Sequence, residues 1–279
     1  MIERYIAEQQ ERVRHFLLQY LEEKRERSIA KLVDAIAYAL DGGKYLRPVL
    51  FLASAEALGA PTEKVLPAAA AIECFHVYSL IHDDLPSMDN ADFRRNRPSV
   101  HKQFDEATAI LAGDTLTALG FELLAQEQAK HTSTENVLAL IQAAARVLGT
   151  TGLAGGQWLD LDYLQNQDHF PDELVIVYER KTGALIELSV SAPAILLGRT
   201  AEIERLRKFG RELGLAYQLI DDILDAAEES SKPTLVRAWG LEKTRRRARE
   251  LTQSAIGSIR LLQARRLEEL ACHLLGRKY

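Results

Sequence analysis

No stretch of this chain alternates apolar and polar residues long enough to specify a strand, and no βαβ rhythm runs through it. Apolar residues recur instead at spacings of three, four and seven, as on one face of a helix. Ile2, Ile6, Val13, Phe16, Leu17 and Leu21 form the first such stripe. The pattern predicts helices over about 28–40, 47–58, 62–84, 104–128, 134–149, 152–165, 172–190, 201–225 and 241–275, with a short piece near 194–198. Gly42-Gly43 ends one helix and Pro48 begins the next, since glycine suits a left-handed C-terminus and proline a first turn. Residues 85–99, rich in Pro, Asn, Asp and Arg, read as irregular. With no linker long enough to separate domains, the expectation is one all-α domain over 1–279, a large bundle of roughly ten helices.

The formal net charge of −5 gives no general electrostatic reason to bind nucleic acid or an anionic membrane. Two cysteines, Cys74 and Cys272, both in apolar helical contexts, point to a reducing compartment rather than a disulfide scaffold. The N-terminal stretch is charged throughout, unlike a secretory signal. The longest apolar stretch, 184–198, contains Glu187 and Pro193, so no stable membrane insertion is expected. A cytoplasmic protein is the expectation.

Two acidic clusters interrupt this ordinary composition. Leu80-Ile81-His82-Asp83-Asp84-Leu85-Pro86-Ser87-Met88-Asp89 closes an apolar helix, and Leu219-Ile220-Asp221-Asp222-Ile223-Leu224-Asp225 echoes it late in the chain. Adjacent aspartates repel, and a helix C-terminus is already negative, so a positive partner should compensate them. An isolated Asp-Asp is as often plain solvated charge, but two after the same Leu-Ile step are not isolated. Neither matches a calcium loop, with acids at alternate positions around a glycine, and no paired His or Cys suggests zinc. Mg²⁺ suits them, because it combines one or two carboxylates with waters and substrate phosphates. On the second helix Asp221 and Asp225 share a face, with Asp222 about 100° away. Arg94-Arg95-Asn96-Arg97 follows the first cluster, as a phosphate clamp would. Lys44 and Arg47 flank a glycine turn at a helix start, where anions are favoured. Lys243-Thr244-Arg245-Arg246-Arg247, interleaved with Glu242 and Glu250, reads as surface.

Together these motifs resemble the trans-isoprenyl diphosphate synthases (polyprenyl synthetases), most closely the bacterial farnesyl diphosphate synthases. The resemblance covers nearly the whole chain. It rests on Gly42-Gly43-Lys44-Tyr45-Leu46-Arg47-Pro48, on the segment from Tyr78 to Asp89, on Arg94-Arg95, on Gly155-Gly156-Gln157 with Asp160, on Lys181-Thr182-Gly183-Ala184-Leu185, and on Tyr217-Gln218 before the second acidic cluster. It implies a helical bundle around a deep central cavity, usually a homodimer. It implies a transferase of isoprenoid biosynthesis that condenses isopentenyl diphosphate with an allylic diphosphate, dimethylallyl or geranyl, to give farnesyl diphosphate. Asp83, Asp84 and Asp89 would bind Mg²⁺ bridging to the allylic diphosphate, with Asp221 and Asp225 supporting a further ion. Arg94 and Lys181 would contact that diphosphate, with Lys232 nearby. Lys44, Arg47, His76 and Arg95 would bind isopentenyl diphosphate, and Thr182 and Gln218 would lie near the developing allylic cation. No protein nucleophile is needed.

Walking back from Asp83, Ser79, Phe75 and Tyr78 fall within an arc of roughly 140°, with Tyr78 about 7–8 Å below the aspartate. In the family, bulk here forms the cavity floor, so Tyr78 is expected to stop the product at fifteen carbons. Four features depart from the family pattern. Tyr45 stands where bacterial members commonly carry Arg, Asn96 replaces a glycine, and Ile220 replaces a commonly polar residue. Residues 226–231 lead almost directly to Lys232-Pro233-Thr234 where members usually carry a longer loop. The alternatives are a geranyl or geranylgeranyl diphosphate synthase and a non-catalytic subunit of a heteromeric synthase. The intact acidic motifs and Arg94-Arg95 oppose the last.

Overall fold

A computed structural model describes residues 2–165, 171–225 and 234–276. Among the described residues the α-helices are α1 (Ile2–Glu23), α2 (Ala30–Leu40), α3 (Leu46–Ala57), α4 (Thr62–Asp83), α5 (Val100–Gln103), α6 (Glu106–Glu122), α7 (Thr134–Leu148), α8 (Leu153–Gln165), α9 (Pro171–Tyr178), α10 (Ala184–Leu196), α11 (Thr200–Asp225), α12 (Leu235–Trp239), α13 (Leu241–Ile259) and α14 (Arg265–Leu275). The one sheet is a hairpin of β1 (Phe93–Arg94) and β2 (Arg97–Pro98).

The all-α expectation holds, and the segments outnumber the roughly ten anticipated because several periodic stretches divide. The helix expected over 172–190 is α9, a π-turn at Glu179–Gly183 and α10. Helix α10 runs through Pro193, because one lost backbone hydrogen bond does not end a helix whose residues from Leu188 to Leu196 are all buried. The stretch 241–275 breaks where Gln263 takes a left-handed conformation (φ 51°). The segment 85–99 is not wholly irregular: Phe93 pairs with Pro98 and Arg94 with Arg97 in antiparallel register. Strands of two residues are too short to show as a period.

Helix α4 is buried on almost every side, packing against α3, α6 and α10. Its consecutive Ala68–Ala71 are fully buried, which lets neighbouring helices approach closely. Helix α6 meets it through two glycines on one face. A Cβ on Gly113 would lie 2.2 Å from His82 Nε2, and one on Gly120 would lie 2.4 Å from Phe75 Cε1. These glycines make room for rings on the last two turns of α4 and so fix that end of the helix. Helix α11 packs between α10 and α13 and carries the second acidic cluster at its C-terminus.

By length and composition alone, Thr62–Asp83, Glu106–Lys130 and Thr134–Tyr163 could each cross a membrane. The apolar window of Thr62–Asp83 is 72% buried inside the bundle, so the core accounts for its hydropathy.

Candidate active site

The first wall is the end of α4 and the loop after it. The amide of Asp89 donates to the Asp83 carbonyl (2.9 Å) and that of Ala91 to the Asp84 carbonyl (3.1 Å), curling the chain back so that Asp89 adds its charge to that of Asp83. Asp83 is half-buried, and its carboxyl is pushed up to about 6. Burial is the main cause; Asp89 and Asp84 add to it, while Lys181 and Arg94 oppose it. Asp84 is fully buried and held by Arg94, whose Nη2 lies 2.5 Å from Oδ1 and whose Nε lies 3.1 Å from both carboxylate oxygens.

The hairpin presents Arg94 and Arg95 on different sides. Arg95 and Asn96 both sit in the left-handed region (φ 54° and 59°), the requirement of a two-residue turn whose twist matches its strands. Asn tolerates this conformation better than most residues, which explains why it can stand in place of glycine. Arg95 donates to the Ala39 and Asp41 carbonyls at the end of α2 (3.4 and 3.2 Å). Arg97, expected to join the clamp, instead pairs with Asp41 (3.0 Å) and lies over the Tyr38 ring (4.0 Å), pinning the hairpin to α2.

A second cationic cluster lies deeper. Arg47 Nη1 donates to His76 Nε2 (3.1 Å). Burial, and then the charges of Arg47, Arg95 and Arg94, hold His76 well below its ordinary range, so the ring is neutral. Since arginine only donates, Nε2 accepts and the ring proton resides on Nδ1. Lys44, three residues before Arg47, is exposed. Tyr45 turns into the core, 2% exposed, and donates to the Leu40 carbonyl (2.8 Å). It therefore does not substitute for the arginine that bacterial members commonly carry there.

The facing wall comes from α8, the π-turn and α11. A Cβ on Gly156 would lie 2.4 Å from the Lys181 amide, so α8 and the π-turn are in backbone contact. The wide turn carries Lys181 and Thr182, a common use of π-turns at functional sites. Lys181 Nζ pairs with Asp160 (2.6 Å). Burial alone would lower its ammonium, but Asp160, Asp83 and Asp89 outweigh that and raise it, so Lys181 faces the first acidic cluster. Thr182 donates to Gln218 (3.2 Å), one turn before the second cluster. Asp221 is half-buried and Asp225 exposed. Asp222 is buried and accepts from the Tyr178 hydroxyl (2.7 Å) and the Leu235 amide (3.0 Å). Lys232 lies outside the described residues.

Of the chain-length candidates, Phe75 is fully buried against Phe121 (ring centroids 5.0 Å apart) and Ser79 donates to the His76 carbonyl (2.8 Å). Tyr78 is half-buried, edge-on to His82, with its hydroxyl pushed up to about 12 by burial and then by Asp83. Sequence reasoning missed Glu73, buried one turn before His76 on α4, and gave no role to Asp160, the partner of Lys181. Neither Glu73, one more polar residue on an apolar helix, nor Tyr178 carried a signal in the sequence.

Among the described residues no three His, Cys, Asp or Glu side chains form a group that could hold a metal unaided. Dispersed hard oxygen donors facing arginine and lysine fit Mg²⁺ carried by phosphates better than a protein-only cage.

An all-helical bundle with an acidic motif at the end of each of two helices, and arginines and a lysine between them, defines the isoprenyl synthase class. The chain belongs to the polyprenyl synthetase family, whose model matches residues 29–234. It is 42% identical to a farnesyl diphosphate synthase of Geobacillus stearothermophilus over 83% of this chain and 79% of that one. It is 38% identical to a geranylgeranyl diphosphate synthase of Cyanophora paradoxa over 86% and 88%. The crystal structure of an FPP/GFPP synthase from Zymomonas mobilis superposes with a TM-score of 0.90 at 38% identity, covering 99% of this chain and 100% of that one. The chain is a short-chain trans-prenyltransferase.

Proposed function

We propose that this prenyltransferase condenses isopentenyl diphosphate with dimethylallyl or geranyl diphosphate to give farnesyl diphosphate. The observation that carries this reading is the presence of two separate anion sites. One combines carboxylates with Arg94 and Lys181; the other is the Arg47, His76 and Arg95 cluster, joined by Lys44. A reaction that ionises one diphosphate while anchoring another needs both. The first site binds the allylic diphosphate; there Arg94, now paired with Asp84, would turn to a phosphate oxygen, leaving Asp84 to hold a cation. Mg²⁺, held by Asp83, Asp84 and Asp89 and by Asp221 and Asp225, would supply the positive charge that stabilises the leaving diphosphate. Lys181 and Arg94 add fixed charge there. Thr182 and Gln218 orient their dipoles beside the cation, and the second substrate's double bond attacks it. The proton lost afterwards passes to the departed diphosphate.

Tyr78 sets the product length, with Phe75 supporting it from the core and Ser79 beside it. Relatives with farnesyl and geranylgeranyl names both stand near 40% identity, so chain length rests on this floor. Tyr78→Ala should lengthen the product beyond fifteen carbons; an unchanged chromatographic profile would overturn the assignment. The enzyme works as a cytoplasmic homodimer, a reading that rests on the family resemblance.

The direct test incubates purified protein with Mg²⁺, isopentenyl diphosphate and each allylic primer, followed by product identification. A fifteen-carbon diphosphate is expected. No turnover, or a hydrocarbon product, would overturn the reading.

A further inference from the structure

Glu73 stands one turn before His76 on α4, on the same face. It is 0% exposed, and neither carboxylate oxygen has a hydrogen-bond partner. A buried carboxylate left unpartnered costs stability, so it needs a reason to be there. The charges acting on it are Arg47, from α3, and Arg95, from the hairpin. Among the described residues, neither guanidinium has a carboxylate within ion-pair distance. Arg47 spends one nitrogen on His76 while its Nε is enclosed with no partner, and Arg95 reaches only main-chain carbonyls. The other titratable and charged groups around the cluster are Tyr45, whose hydroxyl is spent on Leu40, Cys74, buried on the same helix, the neutral His76, Tyr217 from α11, Arg14 from α1, and Arg94 with Asp84, which pair with each other.

We propose that Glu73 is a positioning residue, the resting counter-anion of the isopentenyl diphosphate site. Its carboxylate balances Arg47 and Arg95 in the empty site, and it takes up one proton from solvent when a diphosphate replaces it as their partner. This rests on the assignment of that site above. The enclosed Arg47 Nε and the two orphaned carboxylate oxygens fit a cluster arranged for a ligand rather than for itself. Burial, opposed by the two arginines, already pushes the carboxyl up to about 7. A diphosphate adds negative charge and engages those same arginines, which raises it further. Glu73 then becomes neutral, and two anions never share the two cations.

The coupling predicts a pH dependence of binding. Above about pH 7 the free protein must acquire a proton to bind, so affinity falls as pH rises, approaching tenfold per pH unit. A diphosphate, whose last ionisation lies near 6, is already fully ionised at pH 8 and contributes little to the proton balance.

The test is calorimetric titration of the whole protein with isopentenyl diphosphate, without primer, at pH 8 in buffers of different ionisation enthalpy. Proton uptake should approach about 0.9 per site, the fraction of a carboxyl near 7 that is ionised at that pH. In Glu73→Gln uptake should fall to near zero, and the rise of the dissociation constant from pH 7 to 8.5 should flatten. Binding to the wild type without proton uptake would overturn the role of Glu73 and leave the enzyme reading intact. No binding at millimolar isopentenyl diphosphate would overturn the site assignment itself. The wild-type measurement decides the matter even where the glutamine variant fails to fold.

Discussion

Asparagine in place of Asp83 should lower turnover by at least about 10³-fold, since a metal ion's charge stabilisation of a leaving group is worth several kcal/mol and each 1.36 kcal/mol is tenfold in rate. The same substitution should leave the metal-free protein as stable as before or more so. Asp83 is half-buried among Asp84 and Asp89, with its carboxyl raised from 3.8 to about 6. The folded state therefore holds that proton more tightly than the unfolded chain does. The stability this contributes is present below about pH 4 and lost as the pH rises through about 6. At pH 8 the ionised group is a net cost on the order of 2–3 kcal/mol, which the neutral amide avoids. Thermal unfolding without metal, compared with product formation under saturating Mg²⁺, checks both halves. Loss of activity with a matching drop in melting temperature would make Asp83 a structural residue and remove it from the metal set. Opposed movements are the mark of a group kept for function at the expense of the fold.

The two walls were legible in the sequence for different physical reasons. The first acidic cluster showed itself because repelling aspartates at a helix C-terminus are unfavourable unless something compensates them, and the compensating arginines follow within the same loop. The pairing of Lys181 with Asp160 and its pull on Asp83 could not be read in the same way. These depend on a π-turn, which changes which side chains face inward without changing composition. Two helix boundaries were not legible because they are set by geometry rather than by Gly or Pro: Gln263 ends one stretch in a left-handed conformation, and Pro193 does not end another. The Arg94 to Arg97 run read as one clamp, because sequence cannot show that a two-residue turn separates Arg95 from Arg94 and sends Arg97 to Asp41. Glu73 was overlooked for a related reason. In a sequence it is one more polar residue on an apolar helix, and only three-dimensional burial reveals that it has no partner.

The second acidic cluster divides its three aspartates between two tasks, and substitution should separate them. Asp222 points into the bundle, where one oxygen accepts from both the Tyr178 hydroxyl and the Leu235 amide, tying α9 and α12 to α11. Alanine at 222 would strand two buried donors, at about 1–3 kcal/mol each. For a chain of this size that corresponds to a fall in melting temperature of roughly 3–10 °C. Asparagine keeps an acceptor oxygen in place and should recover most of the loss. Asp225, exposed at the last turn, takes part in no such contact on the core side. Alanine there should move the melting temperature by no more than about 1–2 °C, the range of a surface substitution, while weakening the dependence of turnover on Mg²⁺. Melting curves and Mg²⁺ titrations of the three variants would establish whether the echo motif is one metal site or a metal site fastened to a structural latch. If Asp222→Ala melts like the wild type, the latch is wrong. If Asp225→Ala turns over with unchanged Mg²⁺ dependence, the second ion site is wrong. The geometry of Tyr178, Asp222 and Leu235 predicts against the first of these outcomes, because α12 is only five residues long and Asp222 bonds the amide of Leu235, the one residue by which α12 enters the core against α9, α11 and α13.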